Sequence, residues 1–332
     1  MLKHALARPL SLAAAVSLSA VMATTVVADD GLGEYRDRFE PLPHLPPIPA
    51  DNSLTPEKVE LGNMLFFEPR ISASGVISCA TCHNPALGWT DRIARGTGHD
   101  GQIGARNSPT VLNSGFLESQ FWDGREPDLE GQALGPIQDS VEMAMDLDHA
   151  IERLNEFELY QKKFAEAYPD ESDPITIDNL AKALATFQRT LNTPNSPFDR
   201  YLRGDMDALT QQQKDGMVAF ADNGCIACHR GPALTDSNFW AIQVPGSTDV
   251  GRYDVTGDDA DMYKFRTPTL RNVAVTYPYM NNGATETLEE AVAIMGREML
   301  NREFEDETIA DITAFLHSLT GEMPDFEIPA LP

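Results

Sequence analysis

Two short runs constrain this chain more than any other feature: Cys79-Ala80-Thr81-Cys82-His83 and Cys225-Ile226-Ala227-Cys228-His229. Each is a Cys-X-X-Cys-His segment, the pattern at which a c-type haem is attached. Two thiols three positions apart reach the two vinyl groups of one porphyrin and form thioethers. The histidine that follows falls under the iron as its proximal ligand. Iron held this way carries electrons, or activates an oxidant where its other face is open. A lone Cys-X-X-Cys also suits a redox dithiol, half a zinc site or a structural disulfide. All four cysteines of the chain lie in these two runs. No pair remains to complete a zinc site, and no alternating strand–helix pattern of the thioredoxin kind surrounds them. The expectation is two covalently bound haem c groups, one on Cys79, Cys82 and His83, the other on Cys225, Cys228 and His229.

At 332 residues the chain is long enough for two domains. Its start reads as a secretory signal over residues 1–28. Lys3 and Arg8 are the basic region, an Ala/Leu/Val/Ser-rich stretch follows from Leu10, and Val26-Val27-Ala28 offers small residues for cleavage. The stretch is short and broken by Ser and Thr, a poor permanent span. Export to the periplasm is expected, with no membrane span after cleavage. With 25 Lys+Arg against 51 Asp+Glu the formal net charge is −26. That balance argues against nucleic acid as a partner. It favours solubility and could steer a small basic redox protein.

Along the chain, Asp29 to Asp51 is proline-rich and reads as an extended arm, not a core element; His44 in it reads as a surface residue. Thr55-Pro56 opens a helix that precedes the first haem run, and Leu209-Thr210-Gln211 opens another before the second. Pro109-Thr110-Val111-Leu112-Asn113 is echoed by Pro268-Thr269-Leu270-Arg271-Asn272. Two domains on one plan follow from this repeat. Between them one helix is marked by Ile151, Leu154, Phe157 and Phe164, and a second, capped by Thr176, by Ile177, Leu180, Leu184, Phe187 and Leu191. Pro194-Asn195-Ser196-Pro197 is the break. The division expected is 29–195 and 196–332. A last helix runs from about Asp306 to Leu319, with His317 on its surface. Strand signals are sparse, so the fold class is mostly α: two cytochrome c-like haem domains in tandem, sharing an interface.

The opposite side of each iron decides the chemistry, because a methionine there makes a high-potential carrier and an open position makes a catalyst. After the second run the candidates are Met262, Met280, Met295 and Met299, and spacing does not choose among them. After the first, His99 stands in Gly98-His99-Asp100-Gly101, a loop from which a ligand could leave. Two-electron peroxide cleavage also needs a carboxylate or imidazole to carry a proton between the oxygens. Glu142 is one of many acids that could do so.

Further motifs carry a resemblance. Gln120-Phe121-Trp122-Asp123-Gly124-Arg125, Gln132-Ala133-Leu134-Gly135-Pro136 and Val141-Glu142-Met143 resemble the bacterial di-haem cytochrome c peroxidases. So do Ser196-Pro197-Phe198-Asp199-Arg200-Tyr201 and Ala291-Val292-Ala293-Ile294-Met295-Gly296. The resemblance spans about residues 53 to 320. It implies that the first haem is the peroxidatic centre, with His99 as the loop ligand released on reduction of the other haem. It implies Gln132 and Glu142 as the distal pair, Glu142 being acid and base, and Trp122 as the tryptophan between the haems. The second haem is then the electron-accepting centre, with Met295 as its sixth ligand. Asn107, Thr276 and Pro278 match the positions that bind calcium. The activity implied is reduction of hydrogen peroxide to water with electrons from a small cytochrome c or cupredoxin. Homodimers are usual in the family.

One position departs from the pattern: Asn281 stands in Pro278-Tyr279-Met280-Asn281-Asn282-Gly283 where relatives commonly carry histidine. Two other functions fit parts of the sequence. One is a di-haem electron carrier, with His99 a permanent ligand and Glu142 a surface acid. The other is a protein-modifying di-haem enzyme of the type that matures tryptophan tryptophylquinone. Such enzymes carry tyrosine at the position of Met295.

Overall fold

The computed structural model describes residues 30–332, so the signal expected over residues 1–28 lies outside the described part. Two helix crossings organise it. Helix Pro56–Phe66 packs across helix Ile177–Gln188, and helix Gln211–Asp222 packs across helix Asp306–His317. Each crossing is close because a glycine lies at its centre. A Cβ on Gly62 would stand 2.0 Å from the Ala183 carbonyl oxygen, and one on Gly216 1.9 Å from that of Asp311. Both helices begin where the sequence places them. Thr55 Oγ1 accepts from the Lys58 amide at 3.3 Å. Thr210 and Gln213 form a reciprocal capping box. Such caps contribute about 1 kcal/mol each. Thr176 caps helix Ile177–Gln188 in the same way.

The stretch marked by Ile151 to Phe164 is two helices rather than one, Leu147–Asn155 and Glu158–Ala167. The first ends in tight turns, Glu156 N to Arg153 O and Phe157 N to Leu154 O at 3.2 Å each. Phe157 is then extended, and its ring lies 4.1 Å under the Arg70 guanidinium. A spacing of apolar residues that fits one helix is thus met by two with a swivel between them. Helix Leu129–Gln138 completes the first unit. A two-stranded antiparallel ribbon, Phe239–Ala241 against Lys264–Arg266, is the one sheet among the described residues. The fold is mostly α.

Each unit has its own apolar core. Phe66, Trp89 and Phe187 meet in the first, with centroids 5.5–6.2 Å apart. Phe198, Phe220 and Phe315 meet in the second, Phe315 lying 4.9 Å from Phe198 and 5.3 Å from Phe220. The terminal segments are exchanged. Phe39 packs in the second core, 5.2 Å from Phe198, and the Leu42 amide donates to Asp199 Oδ1 at 2.8 Å. At the other end Phe326 lies 5.0 Å from Trp89, and Asn63 Nδ2 donates to Glu327 O at 2.9 Å. The proline-rich arm therefore does contribute to a core. Its prolines keep it extended, but Phe39 buries its ring in the core of the second unit and Leu42 is fully buried.

The echoed segments meet at one residue. Asn113 and Asn272 both adopt left-handed backbone, φ 61° and 63°, a conformation that asparagine tolerates. Their side chains both donate to Thr193 Oγ1, at 2.8 and 2.7 Å, and all three residues are fully buried. Leu191 O accepts from Asn113 N and Leu319 O from Asn272 N, so the two halves are related about Thr193.

Candidate haem sites and the interface between them

The two Cys-X-X-Cys-His runs fold alike. Cys79–Cys82 forms one helical turn and Cys225–Ala227 a tighter one, and in each the histidine amide donates back to the first cysteine's carbonyl. His83 Nδ1 faces Trp89 O at 3.4 Å, and His229 Nδ1 faces Leu234 O at 3.2 Å. A carbonyl only accepts, so Nδ1 carries the proton and Nε2 is left as the metal-binding atom. Burial lowers the pKa of both imidazoles and keeps them neutral, as an iron ligand must be. The thiols keep some exposed surface, yet protein crowds them. Burial raises Cys79 to about 12 and both Cys82 and Cys225 to about 11. These surroundings suit a neutral thioether sulfur, not a thiolate.

A cavity of about 260 Å³ opens on Cys225, Cys228 and His229. Helix Leu288–Leu300 forms one wall through Leu288, Ala291, Val292, Met295 and Met299, one face at helical spacing. Met295 therefore faces this site. Met280 and Met299 line it too, and Met262 does not. The apolar walls and the free imidazole nitrogen suit a haem.

Around the first run two loops come together. Residues 96–104, which carry His99, run beside Cys82, and a Cβ on Gly96 would meet Cys82 Sγ at 3.4 Å. The His99 amide donates to both Val141 O (2.8 Å) and Glu142 O (2.9 Å). Gly98 allows this approach, since a Cβ there would lie 2.0 Å from Val141 O. His99 Nδ1 is buried and has no protein partner, while Nε2 lies 3.4 Å from Asp100 Oδ2. Glu142 stands on the turn that folds back on helix Leu129–Gln138, with Met143 N bonded to Pro136 O at 3.2 Å. Gln132 lies one turn before Pro136 on that helix. Glu142 keeps accessible surface, but surrounding protein raises its pKa, Asp139 adds to this, and Arg125 opposes it. Its charge in turn reaches Cys79 and Cys82.

The interface is built around Trp122. Its indole N–H donates to Asn107 O at 2.9 Å, and its carbonyl accepts from Arg266 N at 2.8 Å. Asn107 N donates to Asn281 O at 2.8 Å, so each residue is held by the opposite half. Asn107, Trp122, Thr276, Pro278 and Asn281 all line the cavity of the second site. Arg106 holds Asp249 through two bonds of 2.7 and 2.9 Å and also bonds Asp123; Asn281 Nδ2 adds a bond to Asp249 at 3.1 Å. This Asp123–Arg106–Asp249 cluster and the Thr193 junction have no mark in the sequence. Arg106 and Asp249 are 143 positions apart, and Thr193 lies 80 from Asn113 and 79 from Asn272, so no local spacing encodes either pairing.

Two units of one plan, each with a crowded thiol pair and a buried neutral imidazole, define a protein built to hold two haem c groups. The comparisons agree. The profile described as di-haem cytochrome c peroxidase matches residues 56–207, and that of cytochrome c matches residues 213–320. Cytochrome c551 peroxidase of Nitrosomonas europaea is 44% identical over 96% of this chain and 94% of its own. Methylamine utilization protein MauG of Methylorubrum extorquens is 38% identical over 94% of this chain and 92% of its own. The crystal structure of a MauG-like protein associated with microbial copper homeostasis superposes with a TM-score of 0.78 at 29% identity, over 85% of this chain and 94% of that one. The chain belongs to the di-haem cytochrome c peroxidase family, whose members are oxidoreductases holding two haem c groups. Among the described residues no helix is long and apolar enough to cross a membrane.

Proposed function

We propose that this chain reduces hydrogen peroxide to water in the periplasm, with electrons taken singly from a small cytochrome c or cupredoxin. The reaction consumes two electrons and two protons per peroxide and yields two waters. Haem bound at the two runs supplies the one-electron redox chemistry and, at an open face, the place where peroxide binds. We assign domains over 29–195 and 196–332, the first peroxidatic and the second electron-accepting, with Met295 as the methionine ligand. The observation that carries the reading is the bifurcated hydrogen bond from the His99 amide to Val141 O and Glu142 O. It holds the backbone of the loop that carries His99 against the turn that carries Glu142, a carboxyl of raised proton affinity whose charge reaches Cys82.

In this reading Glu142 takes the proton from the nearer peroxide oxygen and returns it to the farther one. Gln132, on the helix that carries the Glu142 turn, orients the substrate. His99 would be the loop ligand of a haem at the first run and would give up that place to the substrate. Trp122, held from both halves, keeps the two sites in register. Calcium is assigned to Asn107, Thr276 and Pro278. The Asn107 amide nitrogen is committed to Ile93 O at 3.0 Å, which leaves its oxygen for a cation. A homodimer is expected by family likeness. The tyrosine-bearing, protein-modifying alternative is disfavoured by Met295.

The deciding measurement is peroxide-dependent oxidation of a reduced small cytochrome c, with calcium, on enzyme as purified and after one-electron prereduction. Turnover confined to the prereduced form supports the peroxidase with a gating His99. Turnover in both forms keeps the peroxidase and removes the obligatory gate. No turnover with several donors and both haems attached would overturn the proposal.

A further inference from the structure

Among the described residues three arginines are buried, Arg189, Arg266 and Arg271, and of these only Arg266 has no carboxylate partner. Arg106 holds Asp249 and Asp123, Arg189 holds Glu130, and Arg271 holds Asp199 at 2.8 Å. Arg266 is buried at 6% exposure. Its Nε donates to Phe121 O at 3.3 Å and its Nη1 to Thr267 O at 3.1 Å. Both acceptors are neutral carbonyls, and among the described residues no carboxylate forms an ion pair with it. Burial lowers its pKa to about 10 with no anion acting against that shift.

Arg266 lines the cavity that opens on Cys225, Cys228 and His229. That lining contains no Asp, Glu or Lys, and the imidazole of His229 is neutral. Arg266 is thus the one formal charge of an otherwise uncharged wall. A buried cation left unpaired is strongly disfavoured, so the missing anion is expected to arrive with whatever fills the cavity. A haem brings two propionate carboxylates. The backbone supports such a role: the strand pairing Phe239 with Arg266 and the bond from Arg266 N to Trp122 O fix the stem of this side chain at the interface.

We propose that Arg266 is the counter-ion of a propionate of the second haem and thereby sets that haem's potential. This rests on a haem c being held at Cys225, Cys228 and His229. A nearby cation disfavours the extra positive charge of the oxidised iron, and an ionised propionate favours it. Paired, they cancel, and the potential is insensitive to pH. Without the guanidinium, the propionate is an uncompensated buried acid whose pKa rises into the neutral range. Arg266 acts through the propionate and is a positioning residue, not a catalytic one.

The test is a spectroelectrochemical titration of the second haem in the holoenzyme at several pH values across neutrality. The wild type should give a nearly flat midpoint potential. Arg266→Gln should give a potential that falls as pH rises, by up to a tenfold change in the oxidised-to-reduced ratio per pH unit, about 59 mV for one electron. Arg266→Lys should restore most of the flatness. An Arg266→Gln enzyme with both haems attached and a wild-type potential and slope would overturn the proposal. If that variant does not take up haem, infrared redox-difference spectra of the wild type with isotope-labelled propionates decide. An ionised carboxylate band at neutral pH supports the pair, and a protonated band overturns it. Absence of a haem on Cys225 and Cys228 in the wild type, read by pyridine haemochrome and mass, would overturn the site itself and is distinct from a flat potential in the variant.

Discussion

Glu142 is held under opposing influences. Enclosure by protein and the charge of Asp139 raise its proton affinity, while Arg125 lowers it. A carboxyl of raised proton affinity is better suited to carry a proton between the peroxide oxygens than an ordinary surface carboxylate. Replacing it with glutamine keeps the shape and removes the transferable proton. Glu142→Gln is expected to leave haem content and spectra unchanged and to lower peroxide turnover by about 10²–10⁴-fold. Steady-state rates beside a haemochrome assay check this, and full activity in the variant refutes the role. At this scale the sequence is an uneven guide. Cys79, Cys82 and His83 are legible because thioether attachment is a local spacing rule. Met295 is not separable from Met280 and Met299 by residue type, since all three line the same cavity. Arg266 reads as an ordinary charged residue until the absence of a carboxylate around it is seen.

Among the elements, the two glycine crossings govern how closely the helices of each unit approach. The obstruction beyond Gly62 and Gly216 is backbone carbonyl, which cannot swing aside as a side-chain tip can. Gly62→Ala and Gly216→Ala are each expected to destabilise by about 1–3 kcal/mol or more through overpacking. Gly104→Ala, whose added Cβ would meet nothing nearer than 3.5 Å, is the neutral control. Denaturant midpoints measure all three, and wild-type stability of Gly62→Ala would show that the crossing is looser than described. Helix starts were readable because Thr55, Thr176 and Thr210 use side-chain caps that local chemistry dictates. The swivel at Phe157 was not, because Arg70, nearly ninety positions away, provides its reason. The core role of Phe39 was hidden by the prolines around it.

For the whole molecule, buried carboxylates tie stability to pH. Burial opposes ionisation of Glu68, Glu130 and Asp249. In each, bonds from neighbours outweigh burial and hold the pKa below its ordinary value: Arg70 and Tyr160 on Glu68, Arg189 and Asn52 on Glu130, Arg106 on Asp249. A carboxyl with a lowered folded pKa stabilises above its unfolded pKa and loses that contribution as pH falls through the folded value. Stability is therefore expected to hold from neutrality to about pH 4 and to decline below it. Chemical unfolding at stepped pH checks the sign; a protein that gains stability between pH 4 and 3 would contradict it. Asp249 belongs to the interface, so its protonation also loosens the contact between halves. That interface was the least legible level, because Arg106, Asn107 and Thr193 take their meaning from partners in the other half.

The exchange of terminal segments has a consequence for the order in which the protein comes into being. Residues 30–42 are made early, yet Phe39 has none of its aromatic neighbours until Phe198, Phe220 and Phe315 exist. Phe326 is made almost last, and only then is the aromatic cluster around Trp89 complete. Trp89 supplies the carbonyl that orients His83. The earlier-made half thus waits, unfinished on one side, for the final residues of the chain. During that interval Trp89, whose carbonyl faces His83, lacks its Phe326 neighbour. Biogenesis closes at both ends together, with the last dozen residues as the clasp.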